Sequence, residues 1–215
     1  MVMPPTPATP PSELVVGLDI GQRRDFSAIT ILEAIDEMDG TRDPVTYQFR
    51  RRRAIHLRHA ERIRIGTPFS GVVDRVSQIV SDPRLQGCSL VVDATGVGGP
   101  VVEMLRAANL PCRLIAAQIT GGADEGSDGH YYRVPKRDLV VGLQVLFDRW
   151  PFEMVSRTPA VDALVQELAD FTATRGAGGG FKYSGVRDDL AMALALAWWW
   201  MRKRVAWTSA AGRIT

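Results

Sequence analysis

Three apolar runs in this sequence each meet ionisable carboxylates, and that pattern limits what the chain can become. Leu14–Ile20 (LVVGLDI) carries Asp19, Ser89–Asp93 (SLVVD) closes on Asp93, and Asp188–Asp189 open a segment, DDLAMALALAWWWM, that is otherwise wholly apolar. The first two runs are short and rich in Val and Leu, as buried strands are; the third has the length of a helix. An ionised carboxylate at the edge of a buried element is costly unless it is paired or bound to a metal. Taken singly, such aspartates read equally as turn or helix-capping residues. Their recurrence at three separated places points instead to one shared site. Clustered carboxylates repel one another, and hard divalent cations relieve that repulsion through oxygen ligands.

The remaining pattern is that of an α/β chain. Leu14–Ile20 is expected to form a strand, followed by a turn at Gly21–Asp25 and a second strand over Ser27–Ala34. Asp36–Pro44 reads as a turn, and a third strand begins near Val45 and runs into Arg50–Ile65. After Gly66-Thr67-Pro68, the spacing in Val72–Val80 suits a helix. The strand Ser89–Asp93 leads through a glycine-rich turn to a helix at Val101–Ala108 and a strand at Cys112–Ala117. Gly121–Gly129 is a glycine-rich acidic loop. Helices are expected at Pro135–Arg149 and Pro159–Thr172, with a short strand Phe152–Val155 between them. Gly176–Gly180 reads as a hairpin tip leading to Phe181–Ser184, and the closing helix spans Asp188–Arg204. This rhythm predicts a central mixed sheet with some parallel pairing, flanked by helices. The domain reading is a Pro-rich flexible leader over residues 1–13, a single domain over 14–204 and a tail over 205–215.

Composition excludes several classes. Cys88 and Cys112 are the only cysteines, with no CxxC spacing, which argues against a zinc ribbon or a disulfide-stapled secreted domain. The N-terminal stretch lacks a basic segment followed by an apolar run, so it does not read as a signal peptide. The most apolar segment, Leu190–Met201, is too short to span a bilayer. The expectation is a cytoplasmic protein with no membrane partner. The net charge is only +2, so charge alone does not prove a nucleic-acid partner and its distribution must decide.

Three motifs carry a resemblance to a known family. Val16-Gly17-Leu18-Asp19-Ile20-Gly21, with Asp25 and Ser27-Ala28-Ile29, resembles the opening strand motif of phage large terminase nuclease domains. Val91-Val92-Asp93-Ala94-Thr95-Gly96-Val97-Gly98 is similar to their second acidic motif, and Arg187-Asp188-Asp189 through Ala197 to their closing acidic helix. Val134-Pro135-Lys136-Arg137 and Glu167-Leu168 fall in family-like order between them. The resemblance implies a ribonuclease H-like fold and a two-metal endonuclease cleaving double-stranded DNA with little sequence preference, as in viral DNA packaging. It implies Asp19, Asp93 and one or both of Asp188 and Asp189 as catalytic ligands of Mg²⁺ or Mn²⁺, with Asp25 auxiliary. Arg187 stands where that family commonly has a His. No GxxxxGK[ST] phosphate loop is present, so either the packaging ATPase is a separate polypeptide, the expected partner alongside other terminase and portal components, or this chain is an isolated domain.

The dense basic segment Arg50–Arg53, Arg58, Arg62 and Arg64 reads either as a phosphate-contacting strip or as a solvated hairpin face. Lys136 and Arg137 are further candidates for phosphate contact. His56 and His59 read as solvent-facing, and Trp198–Trp200 as core. Two other functions share parts of the pattern. An actin-like ATPase or sugar kinase also uses Asp-x-Gly turns, but duplicates its domain; a resolvase or transposase shares the superfamily. A catalytically silent DNA-docking module is the reading from another class.

Overall fold

The computed structural model describes residues 12–21, 25–154, 157–170, 172–175, 181–184 and 187–211. In chain order the elements are β1 (Glu13–Asp19), β2 (Ser27–Arg42), β3 (Phe49–Ile63), α1 (Phe69–Val80), β4 (Ser89–Asp93), α2 (Gly98–Ala107) and β5 (Arg113–Thr120). They continue as β6 (Gly126–Ser127), β7 (Tyr132–Pro135), α3 (Lys136–Arg149), β8 (Phe152–Met154), α4 (Pro159–Asp170), β9 (Thr172–Arg175), β10 (Phe181–Ser184) and α5 (Asp189–Ala211). Eight strands form one mixed sheet in the order β6-β7-β5-β4-β1-β2-β3-β8, while β9 and β10 pair separately. Strands β1, β4, β5 and β7 are parallel to one another; β2 is antiparallel to both β1 and β3. The α/β reading and the mixed sheet flanked by helices match this arrangement.

Side-chain alternation sorts the sheet into two faces. Val16 and Leu18 of β1, with Leu90 and Val92 of β4, join α1 and α2 in one apolar cluster. Val15 and Val91 join α3, α4 and α5 in the other. Residues at odd positions of β1 and β4 therefore face α5, and this parity carries Asp19 and Asp93 to that face. Helix α5 is apolar on every side from Leu190 to Met201 and is buried throughout, so it lies between the sheet and the outer helices α3 and α4. Its three tryptophans are core, as expected. Tyr132 packs edge-on against Trp199 and Trp200, and Trp150 against Trp198.

A sheet and a helix approach this closely only where a side chain is missing. A Cβ on Gly17 would lie 2.0 Å from the carbonyl oxygen of Ala193 and 3.1 Å from the Cβ of Ala197. Glycine on β1 and alanines on α5 thus let the helix backbone rest on the strand. At the other end of the acidic motif, a Cβ on Gly98 would meet the Asp93 carbonyl oxygen at 1.9 Å, so α2 starts hard against the end of β4.

Several boundaries differ from the sequence reading. Asp36–Pro44 is not a turn: β2 continues to Arg42, because Asp36 and Glu37 face Arg53 and Arg52 across the β2–β3 pair and form ion pairs with them. The reversal follows Arg42, where Asp43 Oδ1 accepts the backbone N–H groups of Val45 and Thr46. Strand β7 occupies 132–135, directly ahead of α3, where no strand was expected. Thr172 belongs to β9 and not to the preceding helix. Helix α5 runs to Ala211, past the Arg204 boundary. The leader residues 1–11, Val155 and the hairpin tip Gly176–Gly180 lie outside the described residues.

Replacing Gly17 by Ala should therefore force α5 off β1. Overpacking of this kind costs about 1–3 kcal/mol, which in a chain of this size lowers Tm by roughly 5 °C. A thermal melt of the Gly17→Ala protein superimposing on the parent would refute the close contact.

Candidate active site

The register brings the acidic motifs into one row. Arg62 of β3 lies opposite Ala28 of β2, and Ala28 lies opposite Asp19 of β1. Asp93 of β4 stands one residue beyond the Leu18–Val92 partnership, beside Asp19 on the other flank. Contact between Gly17 and Ala193 places Asp189, one helical turn earlier, over the same end of the sheet. The sequence-expected residues Asp19, Asp93, Asp188 and Asp189 thus come together at one edge of the α5 face.

Their electrostatics express the crowding. Burial pushes the Asp19 carboxyl well above the usual carboxylate range; the charges of Asp93, Asp189 and Asp188 push it the same way, and Lys136 opposes them. Burial also raises Asp93, countered by hydrogen bonds from Thr95 and Asp19; the Thr95 backbone N–H donates to Asp93 Oδ1 at 2.8 Å. Asp189 is buried and pushed up to about 6, first by desolvation and then by the neighbouring Glu167, with Arg62 pulling it down. Asp188, partly exposed, accepts a hydrogen bond from Lys136 Nζ at 2.8 Å. Asp25 is exposed, and its charge also raises Asp189. Arg137 is exposed at the start of α3 and pairs locally with Asp138 at 3.2 Å.

Two further residues hold the assembly, neither given a role by the sequence reading. Glu167 of α4 is buried; it forms an ion pair with Arg62, and its Oε2 accepts the backbone N–H of Ala191 at 2.8 Å. The unpaired donors of the first turn of α5 include that N–H, so Glu167 acts as a cap delivered from another helix. Asp188 then remains available to Lys136. A signal for Glu167 was present: it falls at the helical spacing of Val161 and Leu164, an acid on the buried face of an otherwise apolar stripe. Phe26 lies between two guanidiniums, with Arg62 Cζ 5.1 Å and Arg187 Cζ 5.3 Å from its ring centroid.

The basic segment on β3 is not a free cationic strip. Arg50 pairs with Asp43, Arg52 with Glu37, Arg53 with Asp36 and Arg58 with Glu33. Arg51 also has an interaction partner. Arg53 stands nine residues along β3 from Arg62, roughly 30 Å of strand, so the run 50–53 lies far from the carboxylates. His56 is buried, contrary to the expectation that it faces solvent, because its strand is flanked by β2 and β8. His59 is partly exposed and lies 3.0 Å from Glu61 Oε2.

The carboxylate group fits a hard dication. It offers only oxygen donors; burial and three like charges raise the Asp19 carboxyl well above its ordinary range, so its charged form calls for a nearby cation, and Lys136 is the protein cation that opposes them. Such a site favours Mg²⁺ or Mn²⁺ over softer metals. Among the described residues no helix is long and apolar enough to cross a membrane.

No family model and no curated protein matches the sequence. Solved structures do match the fold. The large terminase nuclease from thermophilic phage G20c is 20% identical, with a TM-score of 0.57 over 87% of this chain and 81% of that one. The same nuclease with bound magnesium gives 22%, 0.58, 88% and 82%. A mutant nuclease domain of the large terminase subunit of bacterial virus Sf6, with manganese, is 11% identical with a TM-score of 0.57 over 86% of this chain and 88% of that one. The chain has the ribonuclease H-like fold of phage large terminase nuclease domains, as the motif resemblance implied.

The raised carboxyls set a pH dependence of stability. For Asp189 the folded value of about 6 lies above the unfolded value, so the fold favours its protonated form. Its contribution is favourable below about pH 4, diminishes as pH rises towards 6 and becomes a full penalty above that. Carboxyls held low, such as Asp82 at about 2, act in the opposite sense but only at lower pH. Metal-free protein should melt a few degrees lower at pH 7.5 than at pH 5.5. Asp189→Asn should flatten that difference, and millimolar Mg²⁺ should remove much of it at pH 7.5. A Tm that rises steadily across this range would contradict the assignment.

Proposed function

We propose that this chain is a metal-dependent endonuclease that cleaves double-stranded DNA with little sequence preference, as in viral DNA packaging. The observation that carries the reading is the convergence of Asp19, Asp93, Asp188 and Asp189 at the carboxyl ends of two central strands, where burial and like charge outweigh the one lysine, Lys136, beside Asp188. The shared fold with terminase nucleases that bind magnesium or manganese supports it.

In this reading Asp19, Asp93 and Asp189 hold the metals, Asp188 contributes from the rim, and Asp25 is an auxiliary acid. Two bound Mg²⁺ or Mn²⁺ ions would supply charge neutralisation and water activation for phosphodiester hydrolysis. The protein's own residues fix the geometry. The Thr95 N–H orients the Asp93 carboxylate, and Glu167 with Arg62 locks the first turn of α5, and hence Asp189, over the sheet. Lys136 is the cation nearest the carboxylates and is placed to neutralise a phosphate arriving beside Asp188. Arg137 and Arg187, both exposed, contact phosphates on either side. Arg50–Arg53 have no part in this contact, because acids neutralise Arg50, Arg52 and Arg53 and the run is remote. Motor and portal components would act alongside this domain, with no ATP consumed at this site.

Asp93→Asn removes charge and not shape, so it should abolish Mg²⁺- or Mn²⁺-dependent nicking and linearisation of supercoiled plasmid while the circular dichroism spectrum is unchanged; Asp19→Asn should do the same. Asn at Asp188 and Asp189 should both reduce cleavage, Asp189 more severely, and raised Mn²⁺ should rescue Asp188→Asn better. Full activity in folded Asp93→Asn protein would overturn the proposal, as would ATP hydrolysis that disappears with Asp19.

DNA affinity should depend on salt through the site's own cations. In an Asp93→Asn background, Arg137→Ala and Arg187→Ala should each lower the slope of log Kd against log salt by about 1. Arg52→Ala with Arg53→Ala should leave it unchanged. The reverse result would return the DNA path to β3.

A further inference from the structure

At the opposite end of the β2–β3 pair, three ligand-type side chains meet with no role in the site above. Glu37 of β2, His56 of β3 and Glu153 of β8 bring one donor atom each to within 4.8 Å of one another. Glu37 is nine residues along β2 from Ala28, the partner of Asp19, so roughly 30 Å of strand separates this group from the carboxylate cluster.

His56 is the informative member. Its side chain is 10% exposed, yet neither ring nitrogen has a hydrogen-bond partner. Buried imidazole nitrogens are ordinarily satisfied, so an orphaned pair needs an explanation. Nε2 points between two carboxylates, 3.7 Å from Glu153 Oε2 and 3.9 Å from Glu37 Oε2. These separations are too long for hydrogen bonds. They approach the spacing of about 3.3 Å between ligands that share a tetrahedral ion with bonds near 2.0 Å. Arg52 binds the other oxygen of Glu37 at 2.8 Å and turns Oε2 towards the histidine, as an outer partner orients a ligand. Glu153 is 62% exposed and leaves a path from solvent.

We infer that Glu37, His56 and Glu153 form a second metal site, distinct from the carboxylate cluster, that takes a borderline transition-metal dication of the Zn²⁺ type. One imidazole and two carboxylates suit Zn²⁺ better than Mg²⁺, which prefers oxygen alone. The site spans three neighbouring strands. Its effect is structural: it ties β8, an edge strand of three residues, to β3 and to the far end of β2.

The chain has three histidines, His56, His59 and His130, so the test can read each ring separately. Zn²⁺ is titrated into the full-length protein labelled with ¹⁵N-histidine, and imidazole resonances are followed at pH 7.5. One equivalent of Zn²⁺ should move the His56 ring nitrogens and raise Tm, whereas excess Mg²⁺ should leave His56 in place. Glu153→Gln changes an exposed side chain and should fold normally; it should weaken Zn²⁺ binding at His56 by about tenfold or more. Plasmid cleavage with Mg²⁺ should be unaffected in that variant. A His56 signal that ignores Zn²⁺, or that responds equally in parent and Glu153→Gln, would overturn the inference. So would a His56 that merely titrates with pH as a charge partner of the two glutamates. None of these outcomes depends on nuclease activity.

Discussion

The site depends on one contact without side chains, the approach of α5 to β1 at Gly17 and Ala193. Everything acidic is measured from it. Asp19 lies two residues along the strand and Asp189 one turn back along the helix, so each carboxylate is only a few ångströms from a fixed point. A helix standing further off would leave Asp189 unable to reach the ends of β1 and β4. Small residues in α5 have the same meaning: Ala193 and Ala197, one turn apart, face the strand at Gly17, and tryptophans fill the wider space towards α3 and β7. Packing and chemistry are here a single constraint.

A second constraint is charge. Repulsion among four carboxylates opposes the close approach of α5, and the fold answers it with neutral and cationic partners placed around the cluster. Taken alone, Glu167 works against this, since it adds a negative charge that raises Asp189. Its partners resolve the conflict. Arg62 cancels its charge at short range, and the Ala191 N–H it accepts is the end of a helix dipole that favours an anion there. Glu167 therefore anchors the helix end without taking the place of the metal proposed for the aspartates.

The acidic ends were legible because each is local: an apolar run fixes a buried strand, and its last residue must be where the strand meets solvent. Ser89–Asp93 was read to the residue for this reason. What escaped depends on partners far away in sequence. Nothing near Asp36 and Glu37 distinguishes a polar turn from a strand; only the arginines of β3, paired across it, make that stretch extended. The same pairing converts an apparent phosphate strip into a neutral ladder. His56 reads as exposed because it falls in an arginine-rich stretch, yet the strands on either side bury it. Register is a tertiary property, and a one-residue change in it would reverse each of these conclusions.

The β2–β3 pair shows how one sheet keeps two electrostatic regimes apart. Along its outer length, acids on β2 form ion pairs with arginines on β3, Asp36 and Glu37 with the arginines directly opposite and Glu33 with Arg58, and the field cancels within a few ångströms. At the inner end the pattern breaks. Ala28 stands between Arg62 and Asp19, too small to carry charge, and Arg62 turns instead to Glu167 on α4. Asp19 is thereby denied the arginine that the ladder rule would have supplied. Had residue 28 been acidic, Arg62 would have been drawn into the sheet and Asp189 would have lost its anchor. Had it been basic, it would have paired with Asp19 and occupied the place of a dication. A small apolar residue at that position leaves Asp19 without a cationic neighbour on β2, which is the condition the proposed metal site requires.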